Sequence, residues 1–248
     1  AAGLKKTLNQ QLMLNKDYIH YAGNYEDIEK NRRENKISAL MSIEGGEVLE
    51  GKIANLQQVY DWGIRALTLT WNHPNELGFS HTGQDGLTCF GKEVVECANE
   101  LGILLDVSHL SDQGFWNVVE LSTDPIIASH SNARAICNHT RNLTDEMIQA
   151  ITEKGGLIGI NLYGLFLSQT GDSTIEDTIR HINHIYQVGG TEGVALGSDF
   201  DGFIGDTQIS NAAQWGKLIE GLNKMKFSQE DIDKITYKNA LRVIKDVL

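Results

Sequence analysis

Cysteine, base and linker composition are all scarce in this chain. Its three cysteines, Cys89, Cys97 and Cys137, are widely spaced and form no CxxC pair. That argues against a disulfide framework and fits thiols kept in a reducing, cytoplasmic compartment. No stretch approaches the roughly 18 consecutive apolar residues of a membrane-spanning helix. No Pro- or Ser-rich segment divides the sequence, so residues 1–248 read as a single domain. Only 21 Lys and Arg face 33 Asp and Glu, a formal net charge of −12. This balance opposes nonspecific binding to nucleic acid or to an anionic membrane. Two further absences are an initiator Met and any His-x-Asp tripeptide.

What is present is ordinary globular composition, 41% hydrophobic and 22% charged. Short apolar runs alternate with amphipathic stretches. Strands are expected at 37–43, 66–70, 103–107, 125–128, 157–160 and 194–196. Most lack polar alternation, as strands buried on both faces do. Helices are expected at 4–18, 51–62, 92–101, 112–121, 144–154, 174–188, 211–225, 229–238 and 239–247. Thr144 and Ser228 suit N-caps, and Gly63, Gly102, Gly155 and Gly189 suit C-caps. Strand and helix in alternation predict parallel βαβ units and an α/β fold. The longest irregular stretch, 71–91, reads as a loop walling a functional site.

In parallel α/β folds chemistry collects at the carboxyl ends of strands. Each predicted strand here ends in such residues: Glu44-Gly45-Gly46, then Trp71-Asn72-His73, then Asp106 through His109, then Ser129-His130, then Asn161 and Tyr163, then Ser198-Asp199-Phe200-Asp201-Gly202. One histidine alone is more often a packing residue. Glu44, His109, His130 and Asp199 together supply the imidazoles and carboxylates that a divalent metal needs. Zinc favours such a set, with an open position for water, and Asp199 is suited to manage protons beside it. Arg134 and Arg141 are candidates to clamp a carboxylate, although each taken singly reads as a surface or capping residue. Asp106 reads as an orienter of His109 or as a buried acid satisfied by donors. His20, His181 and His184 fall on helices and read as unrelated to chemistry.

These segments resemble the membrane (renal) dipeptidases, zinc peptidase family M19. Ser42-Ile43-Glu44-Gly45-Gly46, Arg65 to Thr70, Leu104 to His109, Ile127 to Ser131, Arg141-Asn142, Gly197 to Gly202 and Asn239 to Val243 occur in family order over essentially the whole chain. The resemblance implies a TIM-like (β/α)8 metallohydrolase barrel that hydrolyses dipeptides through a metal-activated water. It implies two zinc ions, with Glu44, His109 and His130 as metal ligands. It implies Asp199 as the catalytic proton carrier, Arg141 at the substrate carboxylate, and a homodimer. A family histidine near the substrate carbonyl corresponds to Trp71, with His73 two residues later, so both are candidate substrate-binding residues. The His-x-Asp half of the metal site has no counterpart. Together with the opening helix and the six predicted strands, that absence predicts a chain holding about six of eight βα units, without the first two. Another metal-dependent amidohydrolase (lactonase- or deaminase-like), or an inactive truncated form, are the alternative functions.

Overall fold

The computed structural model describes residues 2–248. They fall into two compact units, one reaching to Asp124 and including Ile244–Leu248, the other Pro125–Val243.

In the first unit the order is α1 (Ala2–Leu14), β1 (Ile19–Tyr21), α2 (Tyr25–Arg33), β2 (Ile37–Ala39), β3 (Met41–Glu44), α3 (Ala54–Asp61), β4 (Ile64–Thr68), α4 (Cys89–Leu101), β5 (Leu104–Asp106) and α5 (Asp112–Leu121). The run 37–43, expected as one strand, is two strands parted at Leu40. Its first half pairs in parallel with β1 in a separate two-stranded sheet. The β1 strand, only three residues long, and α2 were not expected from the sequence. The second half, β3, pairs with β4, and β4 pairs with β5, all parallel. In that register Glu44 lies opposite Thr68, and Thr68 opposite Asp106. The carboxyl ends of three strands are thereby level. Leu67, Leu105, Val94, Val95, Ala98 and Phe115 form the core beneath them. Burying each of the larger of these side chains fully contributes about 1.5–3 kcal/mol. Helix α4 starts where Thr88 accepts from the Gly91 amide and stops at Gly102, whose φ of 66° is left-handed. Helix α1 is the exception, with no buried residue.

The second unit runs β6 (Ile127–Ala128), α6 (Asp145–Glu153), β7 (Leu157–Asn161), α7 (Gly164–Leu167), α8 (Ile175–Gly189), β8 (Val194–Ser198), α9 (Trp215–Lys224), α10 (Gln229–Asp233) and the first half of α11 (Asn239–Val247), whose residues from Ile244 belong to the first unit. Its strands are again parallel, β6 beside β7 and β7 beside β8. Thr144 and Ser228 cap α6 and α10 as expected. The glycine closing α8 is Gly190, with φ 79°, rather than Gly189, which is the last helical residue. A π turn at Lys234–Lys238 interrupts the helix expected over 229–238. The α/β class read from the sequence is borne out in both units.

Glycine makes the β7–β8 pairing feasible. A Cβ on Gly159 would strike the Ser129 carbonyl oxygen and lie 2.8 Å from Gly197 Cα, and one on Gly197 would strike the same carbonyl. Both obstacles are backbone and cannot rotate away. We expect Gly197→Ala to lower the urea-unfolding free energy by about 1–3 kcal/mol or more. Gly216→Ala, on α9 with nothing within 4 Å of the added methyl, is expected to be neutral or stabilising by up to about 1 kcal/mol.

Candidate functional site

Glu44 is the last residue of β3, and its motif shows why glycines follow it. Gly45 takes φ 98°, a left-handed region that favours glycine. Gly46 packs where a Cβ would lie 2.6 Å from Leu77 Cδ2 and 2.8 Å from the Leu69 carbonyl oxygen. The chain therefore turns sharply after Glu44. The Gly45 and Gly46 amides donate to the Thr68 and Leu69 carbonyls, at 2.9 and 3.0 Å. Glu44 keeps a partly exposed carboxylate, 44% accessible, at the strand end.

His109 reaches the same end from beyond β5. Its Nε2 lies 2.9 Å from Glu44 Oε1, and its Nδ1 lies 3.1 Å from Asn72 Oδ1. Because an amide oxygen only accepts, Nδ1 carries the proton. Nε2 is then the ring nitrogen presented to the carboxylate oxygen and to any cation held between them. A neutral imidazole nitrogen and a carboxylate oxygen side by side, with the tautomer fixed from behind, is the donor arrangement that binds a divalent ion. The residues present fit such an ion. Asp106 is the buried, satisfied acid. Its Oδ2 accepts from Thr68 Oγ1 at 2.6 Å, and its Oδ1 from the Ser108 hydroxyl at 2.6 Å and the Ser108 amide at 3.1 Å.

The loop after β4 is pinned rather than loose. The His81 amide donates to the His109 carbonyl, and the Ser111 amide to that of Phe79. Trp71 and His73 are exposed on this loop and meet edge to face, ring centroids 6.2 Å apart.

The remaining predicted residues belong to the second unit. His130 is buried two residues beyond β6, with Nδ1 2.7 Å from Ser129 Oγ. Arg141 is buried, its guanidinium 5.3 Å from the centroid of Phe166. Its backbone amide donates to His139 Nδ1 at 3.0 Å. Burial and the Arg141 and Arg134 cations push the pKa of His139 down. Arg134 instead donates to the Asn142 carbonyl, a local brace. Asp199 Oδ2 accepts from Asn161 Nδ2 at 2.9 Å. His181 is structural, as expected. Its Nδ1 accepts from the Ala133 amide at 3.0 Å, and its Nε2 donates to the Leu167 carbonyl at 2.9 Å.

Sequence reasoning missed Asn72 as a functional residue. Its only signal was position, between Trp71 and His73 just after a strand.

A carboxylate and an imidazole brought together at the ends of parallel strands make a candidate metal site on an α/β fold. Residues 5–248 match the membrane dipeptidase family, peptidase family M19, and the chain belongs to that family. It is 34% identical over 257 residues to an uncharacterised protein from the pqqA 5′ region of Klebsiella pneumoniae, covering 96% of this chain and 95% of that one. It is 33% identical over 221 residues to human dipeptidase 3, covering 86% of this chain and 45% of the human protein, which is therefore about twice as long as the matched region. Among solved structures, a metallopeptidase from Rhodobacter sphaeroides, bound to a phosphinate mimic of the dipeptide L-Ala-D-Ala, superposes with a TM-score of 0.93 at 27% identity. That match covers 98% of this chain and 73% of that one. No helix among the described residues is long and apolar enough to cross a membrane.

Two tests follow. Removing the Asn72 side chain frees His109 to rotate, so Asn72→Ala is expected to weaken divalent-metal affinity about 10- to 100-fold by competitive chelator titration. Burial pushes the pKa of His181 down to about 4, against about 6.5 in an unfolded chain. Between those values the unfolded state holds the extra proton. Stability is therefore complete above about pH 6.5 and lost as pH falls towards 4, by about 3 kcal/mol. Urea titrations across this range should show that slope in the parent protein and a shallower one in His181→Gln.

Proposed function

We propose that the chain is a zinc-dependent dipeptidase acting through a metal-activated water. The observation that carries this reading is the 2.9 Å approach of His109 Nε2 to Glu44 Oε1, with the imidazole tautomer set by Asn72. Membership of the M19 family supports it. Glu44 and His109 of the first unit are the proposed ligands, and His130 is proposed as a third. Bound there, zinc supplies a water of lowered pKa and a Lewis acid for the scissile carbonyl.

The other roles belong to the chain's own side chains. Asp199 takes the proton released at the water and returns it to the leaving amine. Arg141 pairs with the free carboxylate of the substrate, which selects dipeptides over proteins. The face of Phe166 supports that cation. Trp71 and His73 contact the substrate from the loop. The three free cysteines support a cytoplasmic setting.

The test is zinc content and turnover together. His109→Ala and His130→Ala are each expected to abolish hydrolysis of dipeptides and to lower bound zinc. Undiminished turnover with stoichiometric zinc retained would sink the assignment. Lactones and cyclic amides belong in the same substrate panel, since preferential turnover of either favours a different amidohydrolase. Arg141→Lys keeps the charge and loses the planar fork. It is expected to lower kcat/KM roughly 10- to 100-fold, mainly through KM, with zinc unchanged.

A further inference from the structure

We propose that Asn161 is a positioning residue for Asp199, and that it assigns proton exchange to one carboxylate oxygen, Oδ1. This rests on the proton-carrying role proposed for Asp199. Asp199 sits beyond β8 with φ 65°, a left-handed conformation that non-glycine residues adopt seldom. Its carboxylate is held from two sides. Asn161 Nδ2 donates to Oδ2 at 2.9 Å. On the other side Oδ1 packs against Gly202, where any Cβ would overlap it.

The amide of Asn161 has no freedom to turn over. Its Oδ1 accepts from the Tyr163 backbone amide at 2.7 Å, so the NH2 end faces Asp199. The residue itself is fully buried and clamped by a second amide. Asn132 Nδ2 donates to the Asn161 carbonyl at 3.0 Å, and the Asn161 amide donates to Asn132 Oδ1 at 3.1 Å. A register shift between Ile160 and Asn161, opposite Ser198, lies at this point in the ladder. Such irregularities re-aim a side chain at a strand end. An N–H directed at Oδ2 makes that oxygen the weaker base of the two. The proton that Asp199 carries therefore resides on Oδ1.

The experiment compares Asn161→Ala and the isosteric Asn161→Asp, which keeps the acceptor for Tyr163. Each is made in the parent chain and in the Asp199→Asn background, and assayed as zinc-loaded protein. With Asp199 present, each variant is expected to lower kcat about 10- to 100-fold, with KM within about threefold and zinc content unchanged. In the Asp199→Asn background the same substitutions are expected to change residual turnover less than about twofold, because the partner is gone. In metal-free protein labelled with 15N-asparagine, the Asn161 side-chain amide proton should move upfield on Asp199→Asn. Equal losses in both backgrounds, or an amide signal indifferent to the Asp199→Asn change, would overturn the positioning role. Full kcat in both Asn161 variants alongside an inactive Asp199→Asn would also overturn it while leaving the proton-carrying role intact. Undiminished turnover in Asp199→Asn would overturn that role and the proposal together.

Discussion

The hydrogen bond between His109 Nδ1 and Asn72 Oδ1, 3.1 Å long, is the contact on which the chemistry of the first unit depends. Imidazole has two tautomers, and only one of them presents a lone pair at Nε2. An amide oxygen, which can only accept, placed behind the ring sets the choice without any charge. The rest of the local structure serves that contact. The β4 strand ends at Thr68, which delivers the loop bearing Asn72, and β5 ends in the turn bearing His109. Their shared parallel register keeps the two ends level. The loop is then bonded back to the turn through His81 and Ser111. Tautomer, ring direction and loop path are thus one constraint.

The second unit solves a comparable problem with the same functional group used the other way round. There the ionisable residue is an acid, so the amide presents its NH2 end. Asn161 donates to Asp199, whereas Asn72 accepts from His109. Primary amides suit both tasks because they carry a donor and an acceptor in one rigid plane and never titrate. In each case the amide follows or ends a parallel strand. The ionisable residues are thereby directed by neutral groups, which add no charge of their own.

Much of this was legible in the sequence. The apolar runs located β4 to β8 within a few residues. Glu44, His109, His130 and Asp199 stood out because ionisable groups recur after consecutive runs. Boundaries failed where local signals were thin. The sequence Ile37-Ser38-Ala39-Leu40-Met41-Ser42-Ile43 has no breaker, so nothing local reveals that the chain changes sheets at Leu40. The Ile19–Tyr21 strand is too short to show a period. The supporting roles of Asn72 and Asn161, both already placed at strand ends, were missed for a different reason. An asparagine in a post-strand segment is also a common turn former, and only its partners across the fold, 29 to 38 residues away, distinguish the two uses. His181 was set aside from the chemistry, and both of its ring nitrogens are bonded to backbone. Its role in tying Ala133 to Leu167, by contrast, depends on contacts that spacing cannot reveal.

Building on amides carries a chemical hazard of its own, since asparagine is among the residues that heat and time degrade. Deamidation begins when the following backbone nitrogen swings onto the side-chain carbonyl carbon. At Asn161 that nitrogen belongs to Leu162, and its N–H is engaged with the Ser198 carbonyl at 3.1 Å. The side-chain carbonyl oxygen is in turn held by the Tyr163 amide. Neither group can approach the other without breaking a buried bond. The hydrogen bonds that aim the amide therefore also slow its ageing, and the working life of the protein is tied to the persistence of its strand ends.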